Sequence, residues 1–132
     1  LIPVCSPKLV KEGPHPLRSP SDLKHHMLLH DDIRTDWRMW LKAANVTDVD
    51  PVKGPRYNFS SMVLQAAIEG QGVALGRSAL AHDALADGRL VQPFDVTIQG
   101  DFAYYIVCPH YAFDRPKVKA FRDWLLEEAA KD

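Results

Sequence analysis

Phe59-Ser60-Ser61-Met62-Val63-Leu64-Gln65-Ala66-Ala67-Ile68-Glu69-Gly70-Gln71-Gly72-Val73-Ala74-Leu75-Gly76 is the stretch whose reading decides the fold. Ser60 or Ser61 is placed to cap a helix that runs through Glu69, with Leu64, Ala67 and Ile68 apolar and Gly70 as its stop. Gly72-Val73-Ala74-Leu75-Gly76 then reads as a very short buried strand between glycines. A helix delivered by a glycine turn into a buried strand is half of a crossover unit, so its neighbours should supply the rest.

Upstream, Arg56-Tyr57-Asn58-Phe59 alternates like a strand, Met27-Leu28-Leu29-His30 is an apolar run of strand length, and Ile2-Pro3-Val4-Cys5 is a short apolar strand. The prolines of Gly13-Pro14-His15-Pro16 and Ser19-Pro20 forbid regular structure, which predicts an ordered loop ending at a helix cap near Ser21 and a helical turn over Asp22-Leu23-Lys24. Asp36 is placed to cap residues 37–44, where Trp37, Trp40, Leu41 and Ala44 fall on one helical face.

Downstream, Ser78 can cap a helix over residues 79–86, stopped by Asp87-Gly88, and residues 90–94 form another short strand ended by Pro93. Residues 102–107 are nearly continuously apolar, the pattern of a strand buried on both faces. Pro116 opens a last helix with Val118, Phe121, Leu125 and Ala129 expected inward. Short strands alternating with helices predict the α/β class, with a mostly parallel sheet covered on both faces.

Composition sets limits on function. The chain has 132 residues, 46% of them hydrophobic and 25% charged, enough apolar material for a core and too much for disorder. Sixteen Lys+Arg against seventeen Asp+Glu leave a net charge of −1, which argues against this chain being a nucleic-acid-binding module by itself. No apolar run approaches the roughly 20 residues of a membrane helix. Leu1 is not an initiator Met, and Leu1-Ile2-Pro3-Val4-Cys5 reads like the middle of a strand, so the chain is expected to be a piece of a longer one. Cys5 and Cys108 lack framework spacing and are expected to be buried free thiols in a reducing cytosol.

Catalytic and metal chemistry find no complete set of residues. His25, His26 and His30 cluster, but no Cys or Glu completes a zinc set, so they are expected on the surface or in polar networks. Ser60-Ser61 lacks the G-x-S-x-G elbow of a hydrolase, and helix capping accounts for both serines. The glycines of residues 70–76 lead into a strand, so they form a turn and not a phosphate loop. No metal, cofactor or catalytic residue is therefore expected.

What remains is a binding geometry. In open α/β sheets ligands lie beyond the carboxyl ends of strands, where helices begin. Phe59-Ser60-Ser61 and Gly76-Arg77-Ser78 are two such ends, each joining backbone N–H groups to a hydroxyl, with Arg77 as a charged donor for a carboxylate. Plain capping explains the serines as well. Trp37 and Trp40 read as core, although an edge of either could wall a pocket.

The block of residues 60–76, followed by Leu85-Ala86-Asp87-Gly88-Arg89-Leu90-Val91-Gln92-Pro93-Phe94 and Ala120-Phe121-Arg122-Asp123-Trp124-Leu125, resembles the effector-binding domain of LysR-type transcriptional regulators. Val4-Cys5-Ser6-Pro7 and Trp37-x-x-Trp40-Leu41 fit the subgroup of glycine-cleavage activators and β-lactamase regulators. The resemblance implies a periplasmic-binding-protein-like (type 2) domain: two α/β lobes joined by crossing strands, with the effector between them. On that template residues 1–94 are the second lobe, residues 95–99 the return crossing, and residues 100–132 the last strand and helix of the first lobe.

By position the resemblance makes Phe59, Ser60, Ser61, Gly76, Arg77 and Ser78 effector-binding residues. It implies a cytoplasmic bacterial regulator with no membrane contact that senses a small-molecule effector, a small carboxylate or an amino-acid-like metabolite. It also implies a homodimer or homotetramer whose DNA contacts lie in a winged helix outside this chain, which removes the force of the near-neutral charge. The rival reading is a solute-binding protein of a transport system, whose fold is similar.

Overall fold

The structure, a computed structural model, describes residues 1–32, 36–100 and 104–130, and divides into two units, Leu1–Gly100 and Asp101–Asp132. In the first unit β1 (Ile2–Val4), β2 (Leu28–Leu29) and β3 (Val73–Gly76) form one sheet with β3 in the middle. β3 is buried at all four positions, as its glycine-flanked apolar run predicts.

The sheet alternates as a pleat requires. Val73, Leu75 and Leu28 face a core closed by α2 (Asp36–Ala43), whose Trp37, Trp40 and Leu41 are buried. Ala74, Leu29 and Val4 face the opposite core, closed by α3 (Ser60–Ile68) and α4 (Ser78–Ala86) through Val63, Leu64, Ala67 and Ala81. Small residues at Ala67, Ala74 and Ala81 let these helices lie close to the sheet. Each tryptophan also places its polar edge: Trp37 Nε1 donates to the Leu29 carbonyl at 3.1 Å and Trp40 Nε1 to the Val96 carbonyl at 2.8 Å.

Chain reversals follow the expected chemistry at two helix ends. Asn45 (φ 55°) closes α2, with its N–H donating to Lys42 and that of Val46 to Leu41. Gly70 (φ 79°) closes α3 in the same way, through bonds to Ala67 and from Gln71 to Ala66.

Several expectations change. The sheet is mixed, not mostly parallel: β2 runs parallel to β3, but β1 runs antiparallel. Strand direction is fixed by long-range pairing, which periodicity does not encode. Of the strand expected at residues 56–59, only Arg56 bridges, to His30. Pro55 brings no N–H, and the chain enters α3 four residues later. Of residues 90–94 only Val91 bridges, exchanging both backbone bonds with Cys5 at 3.0 and 2.8 Å before Pro93 interrupts the ladder.

The loop of residues 12–21 ends at Ser19, not Ser21. Asp22 accepts the N–H groups of Ser19 and Arg18 at 2.8 and 3.0 Å, which starts a 3-10 turn at Pro20–His25. A short α1 (Pro7–Lys11), with Pro7 in its first turn, was not expected.

The second unit departs most. Phe102 lies outside the described residues, and Tyr104, Tyr105, Ile106 and Val107 form no strand and are exposed, Val107 by 88%. A strand buried on both faces needs neighbours on both edges, and the described strands all pair within the first unit. α5 (Pro116–Ala129) forms as expected but buries no residue fully. Val118 and Leu125 are half-buried, whereas Phe121 and Ala129 are exposed.

Candidate functional site

Parallel pairing of β2 with β3 brings two strand ends to one edge of the sheet. Leu29 lies opposite Ala74, so Asp31, two residues on, reaches the level of Gly76. The first turns of α3 and α4 start at that same edge. Ser60, Gly76 and Arg77 line one narrow cleft there, together with Asp31, Asp36, Val63, Leu64, Leu75, Leu80 and Leu1. Its free volume of about 10 Å³ is the room of one water molecule.

Of the six residues singled out by sequence, Ser60, Gly76 and Arg77 therefore meet. Phe59 is 66% exposed, Ser61 and Ser78 are exposed, and none of the three lines the cleft. Gly76 is where the sheet is most tightly covered. A Cβ there would stand 3.1 Å from Leu64 Cδ2 and 3.2 Å from Val4 Cγ2.

The serines do not cap. Phe59 and Arg77 occupy the N-cap positions, Ser60 and Ser78 are the first helical residues, and neither N-cap side chain makes a capping bond. In both helices the third residue bonds back to the N-cap carbonyl, Met62 N–H to Phe59 and Leu80 N–H to Arg77, each at 3.0 Å. Ser60 instead gives its hydroxyl proton to Asp31 Oδ2. Asp31 Oδ1 accepts the Asp32 N–H at 2.7 Å, and the Asp32 carboxylate pairs with Arg56 at 2.9 Å.

Asp31 and Asp36 escaped the sequence reading. The rule that found Ser60 and Arg77, a polar residue just past a strand's carboxyl end, also points to Asp31 after Met27-Leu28-Leu29-His30.

The other candidates have structural work. His30 is buried beside the Lys53 carbonyl (Nε2 to O, 3.0 Å). His26 Nε2 meets the His15 carbonyl at 2.7 Å, and the His15 and His25 rings stack at 4.0 Å. No three metal-ligating side chains gather among the described residues. Cys5 and Cys108 are both free; burial pushes the Cys5 thiol up to about 12. No described helix is long and apolar enough to cross a membrane.

Comparison with known proteins identifies the family. The family model described as the LysR substrate binding domain matches residues 1–130. The glycine cleavage system transcriptional activator of Escherichia coli K12 is 42% identical over 132 residues, all of this chain and 43% of that protein. The HTH-type transcriptional activator AmpR of Providencia stuartii is 35% identical over 130 residues, 97% of this chain and 42% of that protein. The effector domain of AmpR from Pseudomonas aeruginosa superposes with a TM-score of 0.69 at 27% identity, over 98% of this chain and 60% of that one. The chain thus spans less than half the length of the curated relatives it matches. With the family model covering nearly every residue and the fold shared with an effector domain, the chain belongs to the LysR substrate-binding domain family.

Proposed function

We propose that this chain is the sensing part of a bacterial transcriptional regulator, and that the cleft at the starts of α3 and α4 takes part in binding a small carboxylate or amino-acid-like effector. The observation that carries the reading is the meeting of Ser60, Gly76 and Arg77 at one sheet edge where two helices begin. Helix N-termini and a guanidinium favour an anionic group, and the adjacent Val63, Leu64 and Leu80 suit a short apolar body. Phe59, Ser61 and Ser78 belong to the same two strand-to-helix turns and are included in the proposed binding segment, although they do not line the cleft.

Residues 1–94 act as one lobe, residues 95–99 as the return crossing, and residues 100–132 as the end of the other lobe. The crossing is supported by Leu1 and Ile98, which exchange backbone bonds of 2.6 and 3.1 Å. Effector binding shifts the population of lobe or subunit poses in a cytoplasmic homodimer or homotetramer, and so re-spaces DNA-reading heads outside this chain. The relatives are named as transcriptional activators, which favours this reading over a transport protein. No catalytic step is assigned to the chain.

The test uses the intact protein that carries this chain. An effector at a hundred times its Kd stabilises the fold by about 2.7 kcal/mol. Ser60→Ala and Arg77→Ala should each reduce that stabilisation and leave the unliganded melting temperature nearly unchanged. Full stabilisation in both variants would refute the site.

A further inference from the structure

Trp37 and Trp40 are both buried on α2, and each gives its indole N–H to a backbone carbonyl in a different part of the first unit. Trp37 holds Leu29 of β2, two residues before Asp31 of the cleft lining. Trp40 holds Val96, inside the run 95–99 assigned above to the return crossing. Asp36, the first residue of the same eight-residue helix, lines the cleft. One short helix thus touches the cleft, the strand that ends there and the segment that leads in sequence to the second unit.

The crossing segment has the alternation of a strand. Phe94, Val96 and Ile98 pack against the tryptophan core, while Asp95, Thr97 and Gln99 are exposed, yet the run joins no sheet of the described residues. A strand is ordinarily held by a ladder of backbone bonds. Here Ile98 exchanges two with Leu1, and two residues earlier the Trp40 indole stands where a ladder partner would, with its ring 5.8 Å from that of Phe94. A carbonyl turned to a packed core that loses its donor keeps the cost of its lost water, so this bond favours one path of the crossing over others.

We infer that α2 couples the cleft to the crossing, with Trp40 as the positioning residue. A shift of the strand end or of the first turn of α2 reaches Val96 through the two indole bonds, because a packed helix moves as a body and does not yield continuously. This rests on the reading of residues 95–99 as the crossing and adds the part that ties it to the cleft.

The test is amide and indole hydrogen exchange, followed by NMR in the intact protein with selectively nitrogen-labelled tryptophan, isoleucine and valine. In the unsubstituted protein the Trp40 indole and the Ile98 amide should open together, with protection factors within about threefold. Trp40→Phe keeps a ring and removes the donor, and should speed exchange at Ile98 at least tenfold relative to Val73, whose N–H is bonded to Met27 in the centre of the sheet. Trp37→Phe, which removes the bond to the strand, should leave that ratio unraised. Ser60→Ala frees Asp31 at the cleft and should change Ile98 exchange at least threefold with Trp40 present and not in Trp40→Phe. An indole that stays protected while Ile98 opens, a ratio unchanged by Trp40→Phe or raised equally by Trp37→Phe, or a Ser60→Ala effect that is absent or survives Trp40→Phe would each overturn the inference. No ligand enters these measurements, so they stand apart from the effector-stabilisation test of the cleft.

Discussion

The second unit is the richer in apolar residues, 18 of 32 against 43 of 100, yet the two use them differently. In Leu1–Gly100 a short sheet separates two cores, and Trp37, Trp40, Leu28, Leu29 and Val73 are all 1% exposed or less. In the described part of Asp101–Asp132 only Ala112 among hydrophobic residues is buried, while Tyr105, Val107, Phe121 and Trp124 are more than half exposed. Both tryptophan-bearing helices have an apolar pattern. What separates them is the presence of a sheet to receive it. Amphipathic spacing specifies which face of a helix wants cover, and only a partner surface provides it.

The largest contrast expected is chemical, because each unit holds one thiol. Burial alone pushes the Cys5 thiol up to about 12, so at pH 8 about one molecule in 10⁴ carries the thiolate. Alkylation with iodoacetamide at pH 8 should label Cys108, which is half-buried, and reach Cys5 only on unfolding. Labelling of both at similar rates in the folded protein would break the contrast.

Tryptophan truncation comes next. Trp40 is fully buried, lies edge-on to Trp37, contacts the Phe94 ring and bonds Val96. Trp40→Ala should cost about 3–5 kcal/mol in urea unfolding. Trp124 is 52% exposed and stacks with Phe121, so Trp124→Ala should cost about 1 kcal/mol or less. Comparable losses would mean that the second unit is as well covered as the first.

Glycine substitution sharpens the comparison within the covered unit. Gly54 has φ 116°, and a Cβ there would lie 2.0 Å from the Leu28 carbonyl oxygen, in the backbone of β2. Gly88 has φ 77° and nothing within 4 Å. Gly88→Ala should cost about 1 kcal/mol, the penalty of the left-handed conformation, and Gly54→Ala about 3 kcal/mol or more because the strand must also move. Equal melting shifts would show that the Gly54 loop yields freely.

Local signals carried much of this structure. Residues 60–76 stated a helix, its glycine stop and a buried strand, and all three are present at those positions because each depends on near neighbours. The edge of the sheet carrying Ser60, Gly76 and Arg77 was legible for the same reason. Long-range choices were not. That β1 pairs antiparallel, that Val91 makes one bridge and not a strand, and that Tyr104–Val107 go unpaired are decided by residues tens of positions away. The serines misled because a hydroxyl at a strand-to-helix turn suits both capping and ligand contact. It was Asp31, 29 residues upstream, that claimed the Ser60 proton.

The smallest effect belongs to the rim of the first unit. There the proline-bound loop carrying His15 lies on the 3-10 turn carrying His25 and His26. Loss of water around the His25 ring lowers its pKa from the ordinary 6.5. The charges of His15 and Lys24, and more weakly that of His26, act in the same direction, and Asp22 opposes them. A folded-state value below the unfolded one means that the unfolded chain binds more protons as the solution is acidified. The contribution of the stacked pair is therefore complete above pH 6.5 and is lost as pH falls through the lowered value. Histidine Cε1–H resonances followed from pH 8 to 5 should give His25 a midpoint below 6.5. His15→Gln removes both the covering ring and its charge, so it should bring that midpoint back toward 6.5. A His25 midpoint unmoved by His15→Gln would show that the two rings do not share this contact in solution, and that the loop is held to the turn by the His26–His15 carbonyl bond alone.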